Sequence, residues 1–335
     1  MKLDAALIAQ DLSQAGAAAR ALEDAGFDGG FTFEGPHDPF FPLVLAARET
    51  SRLELGTAVA IAFARSPMIV AQLAWDLQAL SQGRFNLGLG SQIRAHIERR
   101  FSQPWSRPAA RMREFVLALR AIWAAWQERR KLDFRGEFYT HTLMTPFFDP
   151  GPLACAPPRV FLAGVGPQMT EVAGEVADGF LVHPFHTPEF LRETTLPALE
   201  RGLARVGRQR SELAIACQVM IAVGRSRDEL ANARAALRGQ IAFYGSTPAY
   251  RGVLEQHGWG DLQPELNALS KRGAWPEMAQ RVSDEMFETI AVAGTPDEVA
   301  ARLRARCGFA QRIALVTPYG VDPALLGEVV RRLRR

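Results

Sequence analysis

The run Ser81-Gln82-Gly83-Arg84-Phe85-Asn86-Leu87-Gly88-Leu89-Gly90-Ser91-Gln92 decides how the chain is read, because a short apolar strand ends in glycines and then in polar residues. Glycine lets a backbone approach a bound molecule closely, and polar residues just beyond it can supply hydrogen bonds. The same pattern also describes an ordinary strand-to-helix turn. On the N-terminal side of this run, strand patterns over 3–8, 30–33 and 53–61 alternate with helix patterns over 12–25, 42–50 and 67–80. On the C-terminal side the rhythm breaks with a helix over 111–127 and an irregular 134–158 segment rich in proline and aromatic residues.

Alternation then resumes, with strands over 160–163, 179–182, 213–223 and 313–316 and helices over 168–177, 188–206 and from 323. A largely helical excursion occupies about 226–288. Eight strands each followed by helix favour an α/β fold of the (β/α)8 barrel type over an open sheet. The expectation is one domain over 1–335 with insertions over about 91–158 and 226–288, since no Gly/Ser-rich or Pro-rich linker divides the chain. A barrel of this kind places its chemistry at the C-terminal strand ends.

Composition narrows the partners. The net charge is only +3, and basic residues are scattered apart from Arg331-Arg332-Leu333-Arg334-Arg335, which suits the negative end of a terminal helix. That distribution argues against nucleic acid, whose binders concentrate positive charge on one face. Cys155, Cys217 and Cys307 lie far apart without a CxxC pair, so neither a disulfide framework nor a zinc site is indicated. With no signal-peptide pattern after Met1 and no apolar run of about 18 residues, the chain reads as a cytoplasmic protein without a membrane partner.

Several residues at strand ends suit catalysis. Glu34 and His37 follow strand two, and His96 and Glu98 follow strand four, so two neighbouring strands would aim acid–base groups into one mouth. Each of them taken alone also fits a surface or structural role. Ala163-Gly164-Val165-Gly166-Pro167-Gln168 closes a strand and opens a helix, which suits an anion such as phosphate, although a plain β-α turn has the same composition. The dinucleotide fingerprint is incomplete because Met169 stands at its last glycine position, and no lysine completes a P-loop. His183 and His186 are interrupted by Pro184 and lack a third ligand, so no metal site is expected. No G-x-S-x-G elbow points to a serine hydrolase. Trp105, Trp123, Trp126, Phe147 and Phe148 fit core or insertion packing, and an aromatic insertion over the mouth would also wall a flat ligand.

Together these pieces resemble the luciferase-like monooxygenase superfamily, and within it the oxidoreductases that use the deazaflavin coenzyme F420. The matching runs are Ala25-Gly26-Phe27-Asp28, Thr50-Ser51-Arg52-Leu53-Glu54-Leu55-Gly56-Thr57, Arg65-Ser66-Pro67, Leu80-Ser81-Gln82-Gly83-Arg84-Phe85, Gly88-Leu89-Gly90, Ala177-Asp178-Gly179 and Ala293-Gly294-Thr295-Pro296-Asp297-Glu298-Val299. The run from Gln92 to Phe101, with His96-Ile97-Glu98-Arg99-Arg100-Phe101, resembles the F420 subgroup. The resemblance implies a bulge in strand three at Ala58-Val59, often with a non-prolyl cis peptide, behind the cofactor ring. It also implies Ser91, Gln92 and His96 along the ring and side chain, and Ala163, Gly164, Val165 and Gly166 around the cofactor phosphate.

Many relatives place an acidic residue and then histidine directly after strand two, whereas here Gly35 and Pro36 separate Glu34 from His37. Glu34 therefore transfers better than His37. The implied activity is hydride transfer between F420 and a small organic substrate, with Glu34 and either His37 or His96 handling the proton. An FMN-dependent monooxygenase that uses oxygen and a non-catalytic flavin-binding barrel are the two alternatives. A homodimer through the early barrel helices is also implied, with the small residues of Ala71-Gln72-Leu73-Ala74 permitting close packing.

Overall fold

The computed structural model describes residues 1–9 and 11–335. Eight parallel strands close on themselves: β1 (Lys2–Ala6), β2 (Gly29–Thr32), β3 (Glu54–Thr57), β4 (Phe85–Gly90), β5 (Arg159–Gly164), β6 (Gly179–Val182), β7 (Ala214–Val223) and β8 (Arg312–Val316). Neighbours follow chain order, and β8 returns to β1 with Leu3 opposite Ile313. This is the (β/α)8 barrel that the alternation predicts. Since β3 lies between β2 and β4, the strands that carry Glu34 and His96 are not neighbours, contrary to the expectation from their spacing.

Alternating strand residues explain the layering. Leu3, Leu55, Leu87, Leu162, Ile215 and Ile313 are buried against the surrounding helices. The barrel axis is lined by smaller and polar groups, including Asp4, Gly56, Gly88, Gln218 and Arg312, around a cavity of about 50 Å³. The helix over Pro67–Leu80, at the bounds expected from the sequence, begins where Ser66 accepts the Ile69 N–H and Pro67 takes the first helical position.

Strand β3 continues past an interruption as Ala60–Ile61. Before the interruption Gly56 stands opposite Asn86, and after it Ala60 stands opposite Leu89, so β3 holds one residue more than β4 across the gap. That is a bulge, a device that re-aims a strand end. The Ala58-Val59 peptide within it is cis. The bulge therefore falls where the family resemblance places it.

The insertion over 91–158 differs from expectation in detail. A short helix (Arg94–Arg99) follows β4 before the long helix Pro108–Glu128. The 134–158 segment packs along the outer side of helix Pro67–Leu80, where Trp75 donates to the Gly151 carbonyl and Gln78 to that of Ala156. Trp123 and Trp126 are buried, Trp75 meets Trp126 edge-on, and Phe147 and Phe148 are exposed. These aromatics thus cover a flank of the barrel and do not roof its mouth. Ala71 and Ala74 are fully buried within the chain, so they cannot supply the close packing against a second copy that their size suggests.

Candidate active site

At the C-terminal end of the barrel, Glu34 and the bulge form one braced unit. The Glu34 N–H donates to the Val59 carbonyl, and its Oε2 accepts both the Ile61 N–H and Arg65 Nη1 at 2.7 Å. Arg65 Nη2 donates to Asp38 Oδ2 at 2.8 Å. Against the lowering effect of burial, Glu34 and Asp38 hold the Arg65 guanidinium above its ordinary value. The Glu34 oxygen that makes these contacts is fully used as an acceptor, which makes the carboxylate a fixed brace for the bulge. Arg65 and Asp38 were missed as site residues because their pairing spans the gap between two strand ends.

Strand β4 supports the bulge from the other side. Thr57 Oγ1 donates to the Gly88 carbonyl and accepts the Gly88 N–H, and a Cβ on Gly88 would overlap the Thr57 carbonyl oxygen. A Cβ on Gly90 would stand 2.7 Å from Val59 Cγ2. Glycine is therefore required at both positions if bulge and strand are to touch. Ala58 and Val59 are themselves half-buried, leaving one side open.

Just beyond, Gln92 adopts a left-handed backbone with φ of 60°, and its Oε1 accepts the Ile93 N–H. Ser91 donates to the Gln92 carbonyl. His96 lies exposed on the short helix Arg94–Arg99, and His37 is exposed in the loop after β2. Arg100 donates to the Gly35 carbonyl at 2.6 Å, which ties the His96 helix to the Glu34–His37 loop across β3. The structure thus brings these segments together although their strands are not adjacent.

On the β5 side, Gly164 leads into the helix Pro167–Val176. Ser66, Thr187, Ser226 and Thr295 cap the helices they precede, whereas Gly166 offers no side chain to the start of this one. Space beside Gly166 is open for 4 Å around an added Cβ. The backbone N–H groups of Gln168 and Met169 and the positive helix end therefore face an open, uncapped position, which suits an anion.

His183 and His186 do not form a metal pair. The His183 Nδ1 accepts the Phe185 N–H, while His186 Nδ1 donates to the His183 carbonyl. Burial pushes the two imidazoles down to about 4 and about 3. Among the described residues no group of three His, Cys, Asp or Glu side chains gathers as a metal site. Cys217 and Cys307, distant in sequence, come near each other in the core as buried free thiols. Among the described residues no helix is long and apolar enough to cross a membrane.

The model of the luciferase-like monooxygenases matches residues 2–310. The chain belongs to the luciferase-like monooxygenase family. An uncharacterized protein of Mycobacterium tuberculosis is 60% identical over 314 residues, covering 93% of this chain and 92% of that one. A 5,10-methylenetetrahydromethanopterin reductase of Archaeoglobus fulgidus is 29% identical over 316 residues, covering 90% and 89%. Among solved structures, the coenzyme F420-dependent tetrahydromethanopterin reductase of Methanopyrus kandleri superposes with a TM-score of 0.81 at 22% identity, over 99% of both chains. The fold of this luciferase-like protein is therefore shared from end to end with that solved structure.

Proposed function

We propose that the protein is an oxidoreductase that moves a hydride between coenzyme F420 and a small organic substrate at the C-terminal end of the barrel. The observation that carries this reading is the bulge of β3. It is braced by Glu34 and Arg65, backed by Gly88 and Gly90, and open on one side, as a flat ring needs. The relatives described above add support, since both are reductases and one of them depends on F420.

The residues present fit the cofactor. Ala58 and Val59 would back the ring, Ser91, Gln92 and His96 would border it, and Ala163, Gly164, Val165 and Gly166 would hold the phosphate at the uncapped helix start. When bound, the deazaflavin supplies a hydride acceptor or donor that reacts poorly with oxygen. The chain's own share is placement and proton handling. Oxidation of an alcohol removes a hydride from carbon and a proton from oxygen, leaving a carbonyl. The exposed imidazoles of His37 and His96 are free to take that proton, while Glu34 keeps the bulge in place.

A side-by-side titration with F420 and with FMN, followed by intrinsic tryptophan fluorescence, tests the reading. Saturable binding of F420 at concentrations where FMN does not bind is the expected outcome. Preference for FMN would turn the assignment toward an oxygen-using enzyme, and binding of neither would remove the site. The proposal includes a homodimer through the early barrel helices, where Phe41 and Ile69 are at least half exposed. Light scattering on the purified protein measures its mass, and a monomer would remove that part.

A further inference from the structure

One cluster at the same end of the barrel is not used by the chemistry above. His183 follows β6 directly, and β6 pairs with β5 so that Val182 stands opposite Gly164 of the anion loop. The His183 ring meets Tyr250 at 4.4 Å between centroids and Tyr244 at 4.8 Å. Both tyrosines come from the 226–288 insertion, so nothing in the local sequence of His183 announces them. All three side chains are half-buried.

The hydrogen bonds leave two donors free. Because His183 Nδ1 accepts the Phe185 N–H, the proton of the neutral ring sits on Nε2. Neither that N–H nor the Tyr250 hydroxyl has a partner among the described residues, and neither is sealed away from solvent. Burial alone holds His183 down, to about 4, and burial followed by the Tyr244 hydroxyl pushes Tyr250 up to about 12. Burial likewise raises Tyr244. Arg306 stands one step back, donating to the His186 carbonyl, and Arg251, next to Tyr250, pairs with Glu255.

We infer that His183 and Tyr250, with Tyr244 behind them, form an uncharged hydrogen-bonding wall that selects a neutral alcohol or carbonyl substrate over an anionic one. A half-buried wall of neutral donors pairs with a hydroxyl or carbonyl oxygen. It offers no counter-charge for a carboxylate or phosphate, which would lose its hydration without compensation. The aromatic faces favour an apolar body on the same molecule. This inference rests on the hydride-transfer reading, so its test separates the two.

F420 affinity is measured first, and failure there overturns the functional reading itself. The F420-loaded protein is then titrated with acetophenone and with phenylglyoxylate, which replaces the methyl group by a carboxylate, following the cofactor's fluorescence and, independently, binding heat. Acetophenone is expected to bind at least about tenfold more tightly, with a ratio flat between about pH 5.5 and 9. Tyr250→Phe and His183→Phe should each weaken acetophenone by about three- to tenfold while leaving F420 affinity within about twofold. Equal or tighter binding of phenylglyoxylate, no binding of acetophenone, or variants indistinguishable from the parent would each overturn the inference. Tyr250→Phe removes only a hydroxyl and so keeps the test valid should His183→Phe fail to fold.

Discussion

At the N-terminal end of the barrel charged groups are clamped by ion pairs and by backbone partners, whereas at the C-terminal end, beyond the braced Glu34–Arg65–Asp38 unit, several donors are left open. Arg312 of β8 donates to both Asp4 oxygens, at 2.6 and 2.7 Å, and to Glu54, which also pairs with Lys2. Arg84 donates to the carbonyls of Ala47, Thr50, Leu53 and Ser81. Glu23 accepts the N–H groups of Ser51, Arg52 and Leu53. At the other end the helix after β5 starts uncapped, and His37, His96 and the hydroxyl of Tyr250 have no such clamps. The difference separates groups that hold the barrel closed from groups that remain available to a ligand, the division of labour expected of this fold.

The largest test of that contrast is Arg312→Leu. Arg312 and Asp4 are each about nine-tenths buried, and removing one partner strands the other. Unfolding in urea should report a loss of about 3–5 kcal/mol, while F420 affinity per folded molecule stays unchanged. Burial already pushes the Asp4 carboxyl up against the opposing pull of Arg312, and without the guanidinium it rises further. A raised folded value means that the folded state takes up the proton first, so the deficit should shrink as pH falls from about 8 to 5. A deficit independent of pH would show that Asp4 is not the group left stranded.

Next in size is Gly88→Ala, at the boundary between the two ends. Its Cβ would overlap the Thr57 carbonyl, so β4 and the bulge must part, at a cost of about 3 kcal/mol. Unlike Arg312→Leu, this change should also weaken F420 binding, because it separates the strand from the bulge. Loss of stability with intact cofactor affinity would detach the bulge from the proposed site.

The same contrast explains what was legible. Of the runs that carry the family resemblance, Ala25 to Asp28, the start of Thr50 to Thr57, Leu80 to Phe85 and Ala177 to Gly179 lie at the clamped end. There Arg84, Glu54 and Asp178 have partners fixed by the barrel's closure. Those residues repeat a structural solution, so they announce the fold. The open end was read only in part. Gly88, Gly90 and the bulge stood out because a backbone contact demands glycine at a given place. Arg65 as the partner of Glu34, Arg100 as the tie to Gly35, and Tyr244 and Tyr250 beside His183 arise from segments that meet only after folding, and no spacing rule connects them. The opposite error occurred at Ala71 and Ala74, where small side chains serve the chain's own core.

A smaller effect comes from the open end alone. His183 and His186 have an ordinary value of 6.5 and are held near 4 and 3 by burial. The unfolded chain therefore binds more protons between those values, and stability should fall as pH drops from about 6.5 toward 4. Glu23 and Glu54 are held below 4.5, so their contribution is lost only at still lower pH. Urea midpoints at pH 7.5, 6 and 5 isolate the histidines, and His186→Phe should flatten the slope. A slope left intact would place the titration elsewhere, at His141 first, whose value burial also lowers.

Arg94→Ala should have the smallest effect. Arg94 and Glu98 form an exposed i,i+4 pair at 2.9 Å on the helix that carries His96. Such pairs are screened by water and salt, so its loss should cost no more than about 0.3–0.5 kcal/mol. A similar exchange of charges at the other end, in the buried Asp4 pair, costs several times more because no solvent replaces the missing partner. If Arg94→Ala nevertheless lowers F420 affinity, with the unfolding midpoint unchanged, the residue belongs to the ligand surface. That would extend the open end of the barrel by one more turn of the Arg94–Arg99 helix, and the division between holding and binding would then run within that helix.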